Sequence, residues 1–215
     1  MRVSGKSRSF EIEPNSSPYL LKRMIADGFD IVTLFFLFML VTWLIMKTPL
    51  ASTYNMHAET CRGIQNRVLE QVNNDLYAAR EILSNDQQYA DELFAANLHG
   101  FILKMISCLI AEAVLFLIIP LSNKAGATCG RLMTGIMLFN EQRQSLASKL
   151  RIFARFIFIF LFESVSLYIW TGIYTFMLVP VLRFIVMMLN KKHKTVCDLL
   201  TGTTMIEKLS YRPLD

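Results

Sequence analysis

Three unbroken apolar blocks, at 24–46, 101–121 and 152–189, decide what this chain can fold into. A helix needs roughly 20 mostly apolar residues to cross a bilayer, and each block supplies that. The third is too long for one crossing. At about 1.5 Å per residue it would run to roughly 57 Å, nearly twice the hydrocarbon thickness of about 30 Å. A turn around Trp170, Thr171 and Gly172 divides it into spans at 152–169 and 173–189, which makes four spans in all. A chain with 53% hydrophobic and only 18% charged residues is also a poor match to a soluble domain.

Basic residues test the count. They gather in the N-terminal arm (Arg2, Lys6, Arg8, Lys22, Arg23), the middle connection (Lys124, Arg131, Arg143, Lys149, Arg151, Arg155) and the tail (Lys191, Lys192, Lys194, Lys208, Arg212). Four spans put all three on the cytoplasmic side, as the positive-inside bias requires, whereas three spans would leave "KKHK" outside. The expected fold is all-α: a polytopic membrane protein with cytoplasmic N and C termini and an extracytoplasmic helical insertion between helices one and two. Residues 1–18 read as a flexible arm, 19–206 as the membrane domain, and 207–215 as a cytoplasmic tail. Within the membrane domain, 47–100 is the acid-rich insertion and 122–151 a cytoplasmic amphipathic connection. The expected location is a bacterial plasma (inner) membrane. A cleavable signal peptide is not expected, because the arm is long and Asp27 and Asp30 intrude on what would be its apolar core.

In the insertion, Leu69, Val72, Leu76, Ala79 and Leu83 recur at alternating steps of three and four, the spacing of a helical seam. The seam covers about two heptads, so either packing on a neighbouring helix of the same chain or a dimer or partner surface accounts for it. Ser84–Asp86 offers a break and a fresh N-cap, and Ser145 an N-cap for a helix entering span three. Gly126, Gly130 and Gly135 lack the GK[ST] ending of a phosphate loop and the spacing of a dinucleotide fingerprint.

Site chemistry narrows by the same reading. Cys61, Cys108, Cys129 and Cys197 form no CxxC, and His57, His99 and His193 are scattered, so no metal or cofactor is expected. No GxSxG or HExxH sequence appears, and the expected protein is not an enzyme. No basic segment is interleaved with base-stacking aromatics, which argues against nucleic acid despite a net charge of +5.

The unusual features are the charges at and in the membrane. Arg23, Asp27 and Asp30 share one helical face at i, i+4 and i+7. Asp30 and Arg183 lie at similar depths, about 9 Å from the inner boundary, so a pairing between them is expected. Glu112 and Glu163 fall about 16 Å into their spans, where a carboxylate must be protonated, paired or wetted. Either a hydrogen bond to a neighbouring helix or a cation or proton path through Asp30, Glu112, Glu163 and Arg183 would explain them. Asp198 follows "KKHKTVC" and is placed to meet Arg23 from the opposite cytoplasmic end.

Three stretches carry a resemblance: "RMIADGFD", "GATCGRLMTGIML" and "KTVCDLLTGTTMI". In this order around membrane spans they resemble the RDD family of membrane proteins, named for one arginine and two aspartates. The resemblance implies Arg23, Asp30 and Asp198 as those three residues. Thr128, Gly130, Arg131, Thr195, Gly202 and Thr203 fill matching motif places, and Arg155 is the further arginine at the start of span three. Cys129 and Cys197 stand where proline and histidine are common in the family, and the external loop is longer than its usual one. Such resemblance implies either sodium–proton antiport, or transport of another small solute, or an accessory subunit of a membrane complex. Transport is the leading expectation, with Na⁺ or H⁺ as ligands and a homo-oligomer or membrane-protein partner. The alternative is a non-catalytic scaffold that binds through the external helices and the cytoplasmic face.

Overall fold

A computed structural model describes residues 2–5, 8–12, 20–140, 145–165, 169, 175–190, 194–207 and 211–213. Among the described residues, two helices are long and apolar enough to cross a membrane. These are α1, Leu20–Met46, and α4, Gln87–Ser122, which carries a π-helical turn at Ala113–Ile118. At about 1.5 Å per residue both exceed the hydrocarbon thickness of about 30 Å. Apolar side chains such as Phe36 and Trp43 stand exposed along α1, as a lipid-facing surface requires. Two shorter apolar helices follow, α6 at Lys149–Phe158, continued by a π turn at Ile159–Val165, and α7 at Thr175–Leu189. The turn expected at Trp170–Gly172 lies outside the described residues.

The chain divides into two compact units. The first, Met39–Cys108, holds α2 (Ser52–Gln71), α3 (Leu76–Asn85) and the start of α4. Asn73 and Asn74 take positive φ in the turn after α2, a conformation asparagine tolerates better than most residues. Asp75 then caps α3, its carboxylate accepting from the N–H groups of Tyr77 (2.9 Å) and Ala78 (3.2 Å). Ile64, Val68 and Ala79 form the core of this hairpin, with Leu69, Val72, Leu83 and Tyr89 packed against them. The seam read from the sequence therefore closes on the chain itself, except at Leu76, which is 72% exposed. The break expected at Ser84–Asp86 is present, with Asp86 accepting from Tyr89 N at 3.1 Å as α4 begins. Toward the other end Ile45, Ala51 and Leu103 form a second core.

The second unit, Met1–Phe38 with Leu109–Asp215, contains structure that an all-α reading misses. Strands β3 (Ile136–Asn140), β4 (Ser145–Leu146) and β5 (Thr203–Glu207) form an antiparallel sheet in the order β4-β3-β5, with Met137 opposite Ile206 and Phe139 opposite Leu146. Thus 122–151 is not mainly helical. The five-residue run "IMLFN" is strand, a length at which apolar periodicity does not separate strand from helix. Ser145 lies in β4, and the residue preceding α6 is Ser148. Among the described residues of the arm, β1 (Arg2–Gly5) pairs with β2 (Arg8–Ile12), and β2 pairs with β6 (Tyr211–Pro213) of the tail. Two short helices complete this unit, α5 (Cys129–Met133) and α8 (Val196–Thr201). Gly135 and Gly202, both near φ +60 to +70°, supply the left-handed turns that lead from each short helix into a strand.

Replacing Asp75 with alanine removes the carboxylate that satisfies two N–H groups of α3. We expect a loss of about 1 kcal/mol from the hairpin unit, read as a lower denaturation midpoint by circular dichroism of the purified protein.

Candidate functional site: a buried arginine–aspartate clasp

The site is built by short local devices that present charges to α1. Thr195 and Asp198 form a capping box at the start of α8: Asp198 N donates to Thr195 Oγ1 (3.2 Å), and Thr195 N donates to Asp198 Oδ2 (3.1 Å). This fixes the carboxylate, which is fully buried. Arg23 Nη2, from α1, reaches the same Oδ2 at 3.1 Å, while Arg155 Nη1, from α6, donates to Oδ1. One aspartate thus holds two arginines from different helices. Arg155 also donates to Thr203 Oγ1 (2.6 Å), and Arg23 Nε lies 3.3 Å from Met205 Sδ, so both arginines are tied to β5 as well. Arg151 does a separate task, donating to the carbonyls of Thr201 (2.6 Å) and Gly202 (2.7 Å) at the end of α8.

Asp30 makes the second half of the clasp. Its Oδ1 accepts from Gly130 N at 2.7 Å and its Oδ2 from Thr128 Oγ1. A carboxylate from α1 thereby caps the unsatisfied N-terminal N–H of α5. Only glycine fits at position 130, since a Cβ there would stand 2.1 Å from the Ala26 carbonyl oxygen. Arg131, next in the chain, approaches Asp27 with Nη2 to Oδ1 at 3.8 Å. Arg23, Arg131 and Arg155 stand against Asp27, Asp30 and Asp198: three formal positive charges and three negative, all on buried residues. Between the two halves a cavity of about 10 Å³, lined in part by Thr128, Arg131 and Arg155, has room for about one water molecule.

Electrostatics outside the spans follow from this packing. Burial works to raise the Asp198 pKa, but the guanidiniums of Arg155 and Arg23 outweigh it and hold the carboxyl well below its ordinary range. Burial, with the Asp30 charge adding to it, pushes the Cys129 thiol up and keeps it protonated near neutrality.

The other charges read from the sequence are placed differently. Asp30 does not take Arg183 as its partner; it takes Thr128 and Gly130, which lie closer and satisfy both oxygens. Arg183 stands over the Phe116 ring, 5.9 Å from its centroid. Glu112 accepts from Ser164 Oγ, joining α4 to the π turn after α6. The backbone of Glu163 belongs to that π turn, and its side chain lies outside the described residues. The Asp27–Arg131 approach and the Arg151 cap were not anticipated. The i+4 spacing of Asp27 from Arg23 put it on the right face, but nothing in the sequence named its partner. In the other unit His57 Nδ1 lies 2.6 Å from Glu92 Oε2 and its ring stacks on His99, a meeting of residues 42 apart in the chain. Among the described residues no group of three His, Cys, Asp or Glu side chains is arranged to hold a metal.

Removing the shared carboxylate would strand two buried arginines. Asp198→Asn should cost about 3–5 kcal/mol, measured as reduced thermal stability in detergent. Because the folded pKa is depressed, the Asp198 contribution is complete above the unfolded value of about 3.9. It is lost as pH falls toward the folded value, so wild type should lose stability below about pH 4 and the Asn variant should lack that component. Gly130→Ala should be destabilising by at least as much as a typical overpacked site, about 1–3 kcal/mol, while Gly63→Ala, with open space around it, should be near neutral or stabilising.

No curated protein and no solved structure matches the chain. The model of one family does, described as the RDD family and matching residues 17–202, a stretch that includes Arg23, Asp30, Thr128, Gly130, Arg155, Asp198 and the rest of the clasp up to Gly202. With nearly the whole chain covered and two bilayer-length apolar helices present, the protein is an integral membrane protein that belongs to the RDD family.

Proposed function

We propose that this protein is a non-catalytic membrane scaffold, in which the arginine–aspartate clasp locks the sheet and short helices onto the spans and the hairpin of α2 and α3 is the partner-binding platform. On this reading the chain crosses a plasma membrane four times, with both termini cytoplasmic and the hairpin outside. The placement of basic residues supports that orientation.

One observation carries the reading: the motif carboxylates are saturated by donors. Both oxygens of Asp30 and both of Asp198 accept hydrogen bonds from the chain's own groups, with three arginines in the same cluster. A sodium ion needs several free oxygen ligands and is repelled by guanidiniums, and the small cavity beside them is lined by apolar side chains, Thr128 and two arginines. Exposed apolar residues on the hairpin, Leu76 and Tyr77, give a partner something to bury.

A second reading has its own observation. Glu112 is buried immediately before a π turn of a bilayer-length helix and bonded to Ser164, an arrangement suited to proton exchange coupled to a cation such as Na⁺. The two readings separate in reconstituted vesicles and native membranes. The scaffold predicts no proton-coupled Na⁺ flux from purified protein, and cross-links from Leu76 and Tyr77 to one membrane-complex subunit that are lost in Leu76→Asp/Tyr77→Asp and kept in Glu112→Gln. Flux that Glu112→Gln abolishes would replace the scaffold with the exchanger.

A further inference from the structure

The two short helices that close the clasp are built inside out. On α5 the exposed residues are Leu132 and Met133 (69%), and on α8 they are Val196, Leu199 and Leu200 (67%). Their charged residues, Arg131 and Asp198, are buried in the clasp. A helix on a water-facing surface turns its polar side outward, so both show the reverse pattern. Their ends are also sealed as an apolar medium demands, where no water serves backbone groups. Asp30 takes the Gly130 N–H of α5, and Thr134 Oγ1 donates to the Gly130 and Arg131 carbonyls at 2.9 and 3.2 Å. On α8 the capping box closes the start. At its end Thr201 Oγ1 donates to the Cys197 carbonyl (2.7 Å), and Arg151 to those of Thr201 and Gly202.

The clasp also fixes how deep these helices lie. Counting back from Met46 by about 20 residues, the length that crosses the hydrocarbon, reaches Asp27, between Arg23 and Asp30. The opposite face of α1 agrees with that level. Leu21, Ile25, Phe29 and Val32 recur there at steps of four, four and three, and all are exposed. The lipid-facing stripe of α1 therefore runs on to its first turn. Arg23 meets Asp198, and Asp30 meets Gly130, at those same levels. This holds α5 and α8 at the headgroup–acyl boundary, beside a surface that already faces acyl chains.

We propose that the outer faces of α5 and α8 are immersed in the bilayer leaflet at the Leu20 end of α1, with Leu132, Met133, Val196, Leu199 and Leu200 against acyl chains. Interfacial helices sink their apolar sides about 5–10 Å into the headgroup–acyl boundary, the level at which the clasp holds these two. The clasp then has a second task. It pairs and hides the charges of both helices, Arg131 and Asp198, so that their outer faces can enter lipid. The proposal needs the membrane location alone and stands apart from the choice between scaffold and exchanger.

The test is photolabelling of the unmodified full-length protein in phosphatidylcholine nanodiscs, with adducts mapped by mass spectrometry. One arm uses phosphatidylcholine that carries a diazirine on an acyl chain, and the other a water-soluble diazirine. The acyl probe should label 132–133 and 196–200 with yields within roughly threefold of those on 29–36, the lipid-facing reference in α1. The water-soluble probe should label the same two stretches at least about fivefold less than it does in the denatured protein. Acyl labelling below that range overturns the proposal. It does so whether the aqueous probe then reaches the faces, as on a water-exposed surface, or fails to, as under a partner protein or a second copy. Aqueous labelling above its limit overturns the proposal too.

Discussion

A single carboxylate organises the second unit. Asp198 sits at the end of a four-residue capping box and accepts from guanidiniums delivered by α1 and α6. Burying a carboxylate or an arginine alone costs several kcal/mol, and that penalty falls only when partners saturate the lone pairs and N–H groups together. Here Arg23, Arg155 and the Thr195 amide do so on Asp198, with Thr203 and Met205 taking further donors of the arginines. The consequence is positional. Arg23 fixes the azimuth of α1, Arg155 that of α6, and β5 follows α8 directly through Gly202, so the sheet is registered to both helices through one residue.

Asp30 repeats the device with backbone in place of a guanidinium. Gly130 lets α5 approach α1 until its N–H reaches the carboxylate, and any side chain at 130 would strike the Ala26 carbonyl. The two halves explain why charges crowd the mouth of α1. Arg23, Asp27 and Asp30 lie on one face because two separate pieces of the chain, α8 and the Thr128–Arg131 stretch that opens α5, dock along it. A lipid anchor would need none of these charges; a helix that receives soluble-like structure on one side does.

Some of this was legible in the sequence and some was not, for physical reasons. Arg23 and Asp198 could be matched because charges flanking apolar runs must find partners and their chain positions bring them to the same end. Arg155 followed from its motif place. Depth along the helix axis suggested Asp30 with Arg183, but depth says nothing about rotation around the axis, and short-range donors on Thr128 and Gly130 compete more cheaply than a second long side chain. The sheet was missed because "IMLFN" and "TTMIE" are too short for periodicity to distinguish strand from helix, and their pairing joins residues about 70 apart. The hairpin was read better: its seam and its break at Ser84–Asp86 rest on local spacing and capping, and both are local in the fold.

The functional reading turns on whether these charges hold the protein together or serve something that moves. Saturated oxygens and three neighbouring arginines argue for holding, and leave Glu112 and the α2–α3 hairpin as the places where activity would reside. The most direct measurement is a double-mutant cycle on Arg155→Met and Asp198→Leu, with stability read by thermal unfolding of the purified protein in detergent. The account predicts a coupling energy of about 0.5–3 kcal/mol, the double variant being more stable than the two single losses add up to. Strict additivity, with each variant losing the same amount whether or not its partner is present, would contradict it.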